Sequence, residues 1–145
     1  MEQRVPLSIK FITGFSFAGL LFSGYLSAVK LFSSTCAFNE SCPYFLGFPA
    51  CYYGFGLYVA LSVLSVAAIK ERIEIKHALL WIAYTAFLGV VFAGYFTALE
   101  VIAFFGKGLA TYGLSVPTCF LGLVFFMLIG AIAVLGLAHR WHHED

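Results

Sequence analysis

The chain has 145 residues, 62% of them hydrophobic and only 10% charged, with a net charge of +1 and a mean hydropathy of +0.97. A soluble domain of this size has too little interior to hide so much apolar surface, so lipid is the expected solvent. The near-zero charge, with no basic stripe to neutralise phosphates, argues against nucleic-acid binding.

Spanning a hydrocarbon core takes about 20 apolar residues. The first run that qualifies covers about residues 11–32. It is too long for a signal-peptide core and no cleavage site follows it, so it reads as a retained helix. A polar stretch, "STCAFNESCPY", follows and carries Cys36 and Cys42. The second run, about 51–69, opens with "FPACYYGFGLY" and contains Cys51. "KERIEIKH" joins it to the third run, about 78–105. After an outer loop near 106–116 the fourth run, about 117–138, opens with "VPTCFLGLVFF" and contains Cys119; "HRWHHED" closes the chain. The expected fold is an all-α, four-helix integral membrane bundle in a single domain.

Charge orients the bundle. Arg4, Lys10, Lys70, Arg72, Lys76 and Arg140 lie at one end of the runs, against Lys30 and Lys107 at the other. The positive-inside rule then places both termini in the cytoplasm and all four cysteines on or near the outer side. An oxidising outer compartment, such as a bacterial periplasm or an ER lumen, lets disulfides persist. Asn39-Glu40-Ser41 forms a glycosylation sequon, relevant only in an ER.

The chain repeats itself. "FAGLLFSGYLSAVKLF" (17–32) aligns without gaps on "FLGVVFAGYFTALEVI" (87–102), and "FPACYYGFGLY" (48–58) on "VPTCFLGLVFF" (116–126). Each half, about 11–69 and 78–138, is therefore expected to be a helical hairpin. The two hairpins insert in the same direction about a pseudo-twofold axis along the membrane normal. Gly19, Ser23 and Ser27, and again Gly89, Ala93 and Thr97, recur at a spacing of four, which lets helices approach closely in lipid.

Proline suits the first turn of a helix, where its missing N–H leaves nothing unpaired. A cysteine two residues later meets the free N–H groups and the dipole, which favour thiolate. Cys51 and Cys119 are thus symmetry mates at the outer helix ends. They are expected to approach within disulfide reach, with Cα atoms about 4.4–6.8 Å apart. Cys36 and Cys42 suit a mobile dithiol that exchanges with that inner pair. Two inert staples satisfy the same residues, as does a crossed pairing of Cys42 with Cys51, and four cysteines allow three pairings. Lys30 and Glu100 align in the repeat, as a structural ion pair or a functional one. His139, His142 and His143 lie at the opposite end from the thiols, and no metal site is expected there.

These residues carry a family resemblance. "SGYLSAVKLF", the loop cysteines Cys36 and Cys42, and "LGFPACYYGFGLY" resemble the first half of the vitamin K epoxide reductase-like, quinone-linked disulfide-forming membrane proteins. "GYFTALEVIAFF" resembles their third helix, and the similarity covers most of residues 17–135. It implies a four-helix core enclosing a quinone, ubiquinone or menaquinone. It also implies electrons passing from a thioredoxin-like outer partner through the loop pair to a membrane pair. Phe22, Phe92, Tyr25 and Tyr95 are the symmetric candidates to line the quinone pocket. The family's membrane pair is a Cys-x-x-Cys on the fourth helix; here Cys119 fits its second position and Val116 holds its first. Cys51 is the candidate replacement.

The expected function is therefore a membrane thiol–disulfide oxidoreductase with Cys36, Cys42, Cys51 and Cys119 as its redox residues. It is expected in a prokaryotic inner membrane. A disulfide-stapled scaffold or interaction subunit is the alternative, and a small transporter a third possibility.

Overall fold

The computed structural model describes residues 5–34, 44–107 and 118–143. Four helices, each long and apolar enough to span a bilayer, form an all-α bundle, so the chain is an integral membrane protein. They are α1 (Leu7–Ser33), α2 (Ala50–Ile69), α3 (Ile75–Lys107) and α4 (Thr118–His143). Every helix outruns its apolar sequence run on at least one side. The backbone hydrogen-bond ladder continues as long as the flanking residues tolerate helix, whereas hydropathy marks only the stretch in hydrocarbon. α3, with 33 residues, is about 50 Å long and exceeds the roughly 30 Å core.

The boundaries follow local chemistry. Pro6, extended at φ −63° and ψ 148°, precedes α1, where a residue without an N–H does no harm. Ser34 ends α1 in the left-handed conformation, its N–H donating to the Lys30 carbonyl at 3.1 Å. Glu71 does the same for α2: with φ 54° it lets Arg72 N–H reach back to the Ala67 carbonyl at 2.9 Å, a Schellman-type closure. That turn leaves only a short link before α3, so α2 and α3 run antiparallel.

The chief packing partners are α1 with α2 and α3 with α4, and α2 meets α3 about as extensively as α1 meets α4. This is the pattern expected of two equivalent hairpins. Burial agrees in detail: residues 11–26 of α1 and 81–96 of α3 show the same succession of buried, half-buried and exposed positions. Glycine contacts repeat too. A Cβ on Gly19 would run into the Tyr58 ring, and one on Gly89 into the Phe126 ring. One turn outward, Gly24 faces Phe55 while Gly94 faces Leu123. Since 58/126 and 55/123 are themselves equivalent in the repeat, each first helix seats its partner's side chains in the same way. Missing side chains at Gly19 and Gly89 thus set the helix separation, through van der Waals contact rather than water exclusion.

One element was not expected. A β-hairpin, β1 (Tyr44–Phe45) with β2 (Phe48–Pro49), precedes α2. It pairs Tyr44 with Pro49 and Phe45 with Phe48. Leu46 and Gly47 both have positive φ, 50° and 87°, as a two-residue hairpin turn requires.

Candidate functional site: a cavity on the pseudo-twofold

At the cysteine-bearing end of the bundle all four helices line one cavity of about 60 Å³. Almost all of its wall comes as repeat pairs: Phe22 with Phe92, Ser23 with Ala93, Leu26 with Phe96, Cys51 with Cys119, Gly54 with Gly122 and Tyr58 with Phe126; Ala50 completes it. The pseudo-twofold axis therefore runs through the cavity. Cys51 and Cys119 come from different hairpins, lie in the first turns of α2 and α4, and are half-buried there. The structure thus brings these two thiols to one place. Cys36 and Cys42 lie outside the described residues.

The floor of the cavity is a ring stack. Tyr58 and Phe126 lie 4.4 Å apart between centroids, their planes 14° from parallel. The Tyr58 hydroxyl donates to the Gly122 carbonyl at 3.0 Å, tying α2 to α4. Each cysteine is seven residues before its ring and three before its glycine, which places all three on one helix face. Thiols and stack are consequently about two turns apart. The repeat alignment already covered residues 58 and 126, but a tyrosine opposite a phenylalanine gave no sign that the two rings meet.

Of the four aromatic residues expected around a ligand, Phe22 and Phe92 line the cavity, whereas Tyr25 and Tyr95 are 61% and 59% exposed on the outer surface. The reason is angular. Tyr25 and Tyr95 each stand two residues beyond Ser23 and Ala93, which face inward, and two residues turn a helix by about 200°. Phe96, Leu26 and the Tyr58–Phe126 pair take their place in the wall.

The hairpin covers the α3 side of this wall. Phe45 meets Phe92 and Phe96 edge-on at 5.7 Å and 6.3 Å, and Tyr53 at 5.4 Å. The Tyr53 hydroxyl donates to the Phe45 carbonyl at 3.1 Å, which ties the hairpin to the first turn of α2. Lys30, expected opposite Glu100, instead donates to the Ser34 carbonyl at 3.4 Å and stands over the Tyr44 ring at 5.4 Å. No ion pair joins it to Glu100 among the described residues. At the end of the bundle away from the cysteines Lys76 stands over Trp141 at 4.7 Å, joining the start of α3 to the end of α4.

The lining is chemically simple. Tyr58 and Ser23 spend their hydroxyl protons on the backbone carbonyls of Gly122 and Gly19, which leaves the two sulfurs as its reactive atoms. Its walls are otherwise aromatic and aliphatic. At about 60 Å³ the cavity is well below the roughly 150 Å³ that admits benzene, so an aromatic ligand requires the helices to part. Comparison with family models, with curated proteins and with solved structures finds no match to this chain.

Proposed function

We propose that the protein is a membrane thiol–disulfide oxidoreductase whose inner redox pair is Cys51 with Cys119. The observation that carries this is their convergence: two cysteines from separate hairpins, in first helical turns, line one apolar cavity. The helix N-termini favour thiolate over thiol, and the thiolate is the form that exchanges. Cys36 and Cys42 are the outer dithiol. Tyr44 pairs directly with Pro49, which sets the start of β1 beside the start of α2, and Cys42 precedes Tyr44 by two residues in the sequence.

Exchange conserves electrons at each step. A partner's dithiol, of the thioredoxin-like kind, reduces the Cys36–Cys42 disulfide and leaves oxidised. The outer dithiol then reduces the Cys51–Cys119 disulfide. A lipid-soluble quinone, ubiquinone or menaquinone, is the acceptor class for the two electrons and two protons that the inner dithiol must lose. Phe22, Phe92 and Phe96 would hold it, and the apolar walls would exclude water from the exposed sulfurs. The resemblance of "SGYLSAVKLF" and "LGFPACYYGFGLY" to vitamin K epoxide reductase-like sequences supports the same assignment, and the proposal includes an orientation with both termini in the cytoplasm of a prokaryote.

The test uses fully reduced protein in lipid nanodiscs, exposed anaerobically to a short-chain quinone, with thiols counted before and after. Paired loss of thiols in the wild type, abolished in Cys51→Ser and Cys119→Ser, is the expected result. A second reading, a scaffold stapled by disulfides, is favoured by the small enclosed volume and the committed hydroxyls; it predicts thiol counts that no quinone changes.

A further inference from the structure

We propose that Tyr58 is a positioning residue that makes the two cavity thiols unequal, fixing Cys119 and leaving Cys51 as the thiol that exchanges outward. The proposal deepens the redox reading, but its test needs only the two thiols and no turnover.

The site is symmetric in its backbone and nearly so in its side chains. Cys51, Gly54 and Tyr58 on α2 correspond to Cys119, Gly122 and Phe126 on α4, and all six line the cavity. The stacked rings differ by a single polar atom, the Tyr58 hydroxyl. It crosses from α2 to the Gly122 carbonyl at 3.0 Å, one helical turn below Cys119. A helical carbonyl has a second lone pair to accept such a donor without giving up its own ladder bond. In the mirrored position, Gly54 lies one turn below Cys51, and the equivalent ring, Phe126, has no hydroxyl to offer it.

The outer turns of the two helices are therefore held by different neighbours. The Cys119 turn is tied to the bundle centre through Gly122. The Cys51 turn is tied through Tyr53 to the Phe45 carbonyl of the hairpin, the segment that leads to the outer loop. When an outer thiolate attacks the inner disulfide, it forms a bond to the Cys51 sulfur. The Cys51–Cys119 bond breaks and Cys119 leaves as the thiolate; the second outer thiol then attacks the outer sulfur of the mixed disulfide, which releases Cys51 reduced and closes the outer disulfide.

The experiment measures the two alkylation rates separately. Full-length Cys36→Ser/Cys42→Ser protein, reduced and in nanodiscs, is treated briefly with iodoacetamide, and each cysteine's modification is followed by peptide mass spectrometry. Cys51 is expected to react about threefold to tenfold faster than Cys119, the scale of one net hydrogen bond. Tyr58→Phe, which keeps the stacked ring, should bring the rates within about twofold by accelerating Cys119 alone. Phe126→Tyr, which offers Gly54 the missing donor, should slow Cys51. Equal rates in the unsubstituted background, a ratio untouched by Tyr58→Phe, or equal acceleration of both thiols would each overturn the proposal. A protein that fails to oxidise with quinone yet shows the shifted ratio would sink the redox reading, and with it the exchange role of Cys51, and leave the positioning of Cys119 by Tyr58 standing.

Discussion

Tyr58 and Phe126 stack across the centre of the bundle, 4.4 Å apart and nearly parallel, and each ring is seated on a glycine of the neighbouring helix, Gly19 or Gly89. These four residues hold the two hairpins at the distance at which their outer ends enclose a cavity. Ring stacking and close helix approach supply the attraction, because lipid removes the hydrophobic drive between helices.

Gly19→Ala and Gly89→Ala should therefore both destabilise the bundle, by about 1–3 kcal/mol each, the usual cost of overpacking. Unfolding in mixed micelles measures this. Gly14, whose added Cβ meets nothing within 4 Å, is the control, and Gly14→Ala should be neutral or slightly stabilising. Unequal costs at Gly19 and Gly89 would show that the symmetry of contacts is not a symmetry of energies.

Removing the Phe45 ring should loosen the site without unfolding it. Phe45→Ala takes away edge contacts to Phe92, Phe96 and Tyr53, and the expected outcome is severalfold faster alkylation of Cys51 with a lowered but cooperative melt. An unchanged rate would mean that the hairpin does not shield the cavity.

Much of this architecture was legible in the sequence, for a physical reason. Helices in lipid need long uncharged runs, and an internal repeat reports equivalent packing wherever small residues coincide, as Gly19 and Gly89 do. What stayed hidden depended on direction and on side-chain partners. Alignment showed that Tyr25 and Tyr95 are equivalent but not that both face outward. The β-hairpin was hidden because Tyr44–Pro49 is as apolar as the helix it precedes. Its turn places Leu46 at φ 50°, where Asn or Gly is the usual signal. The cavity floor was hidden because Tyr58 and Phe126 differ in type.

That left-handed leucine gives a prediction of its own. Leu46→Asn should stabilise the hairpin by up to about 1 kcal/mol, since a left-handed conformation costs a leucine roughly 1–2 kcal/mol and an asparagine less. A rise in thermal midpoint in detergent is the expected reading. A fall would mean that the exposed leucine side chain has a contact in the membrane that outweighs the strain.

Orientation is tested independently of chemistry. With both termini in the cytoplasm, a C-terminal reporter active only outside should stay silent, and one active inside should give full signal. The reverse would move the cysteines to the reducing side, where disulfides do not persist.

The outer cysteines should matter for exchange and little for folding. A bridge between Cys36 and Cys42 would close a short ring and remove little chain entropy. Replacing both with serine should leave the thermal midpoint nearly unchanged while abolishing oxidation of a partner dithiol. A large loss of stability would make the pair a staple.

The most direct measurement is the disulfide map of the Cys36→Ser/Cys42→Ser protein after mild oxidation, read by peptide mass spectrometry with and without reductant. A redox pair on the pseudo-twofold predicts a Cys51–Cys119 bridge formed within one chain and fully reversed by a dithiol. Two thiols that stay separately alkylatable under every oxidant, while the protein remains folded, would contradict it.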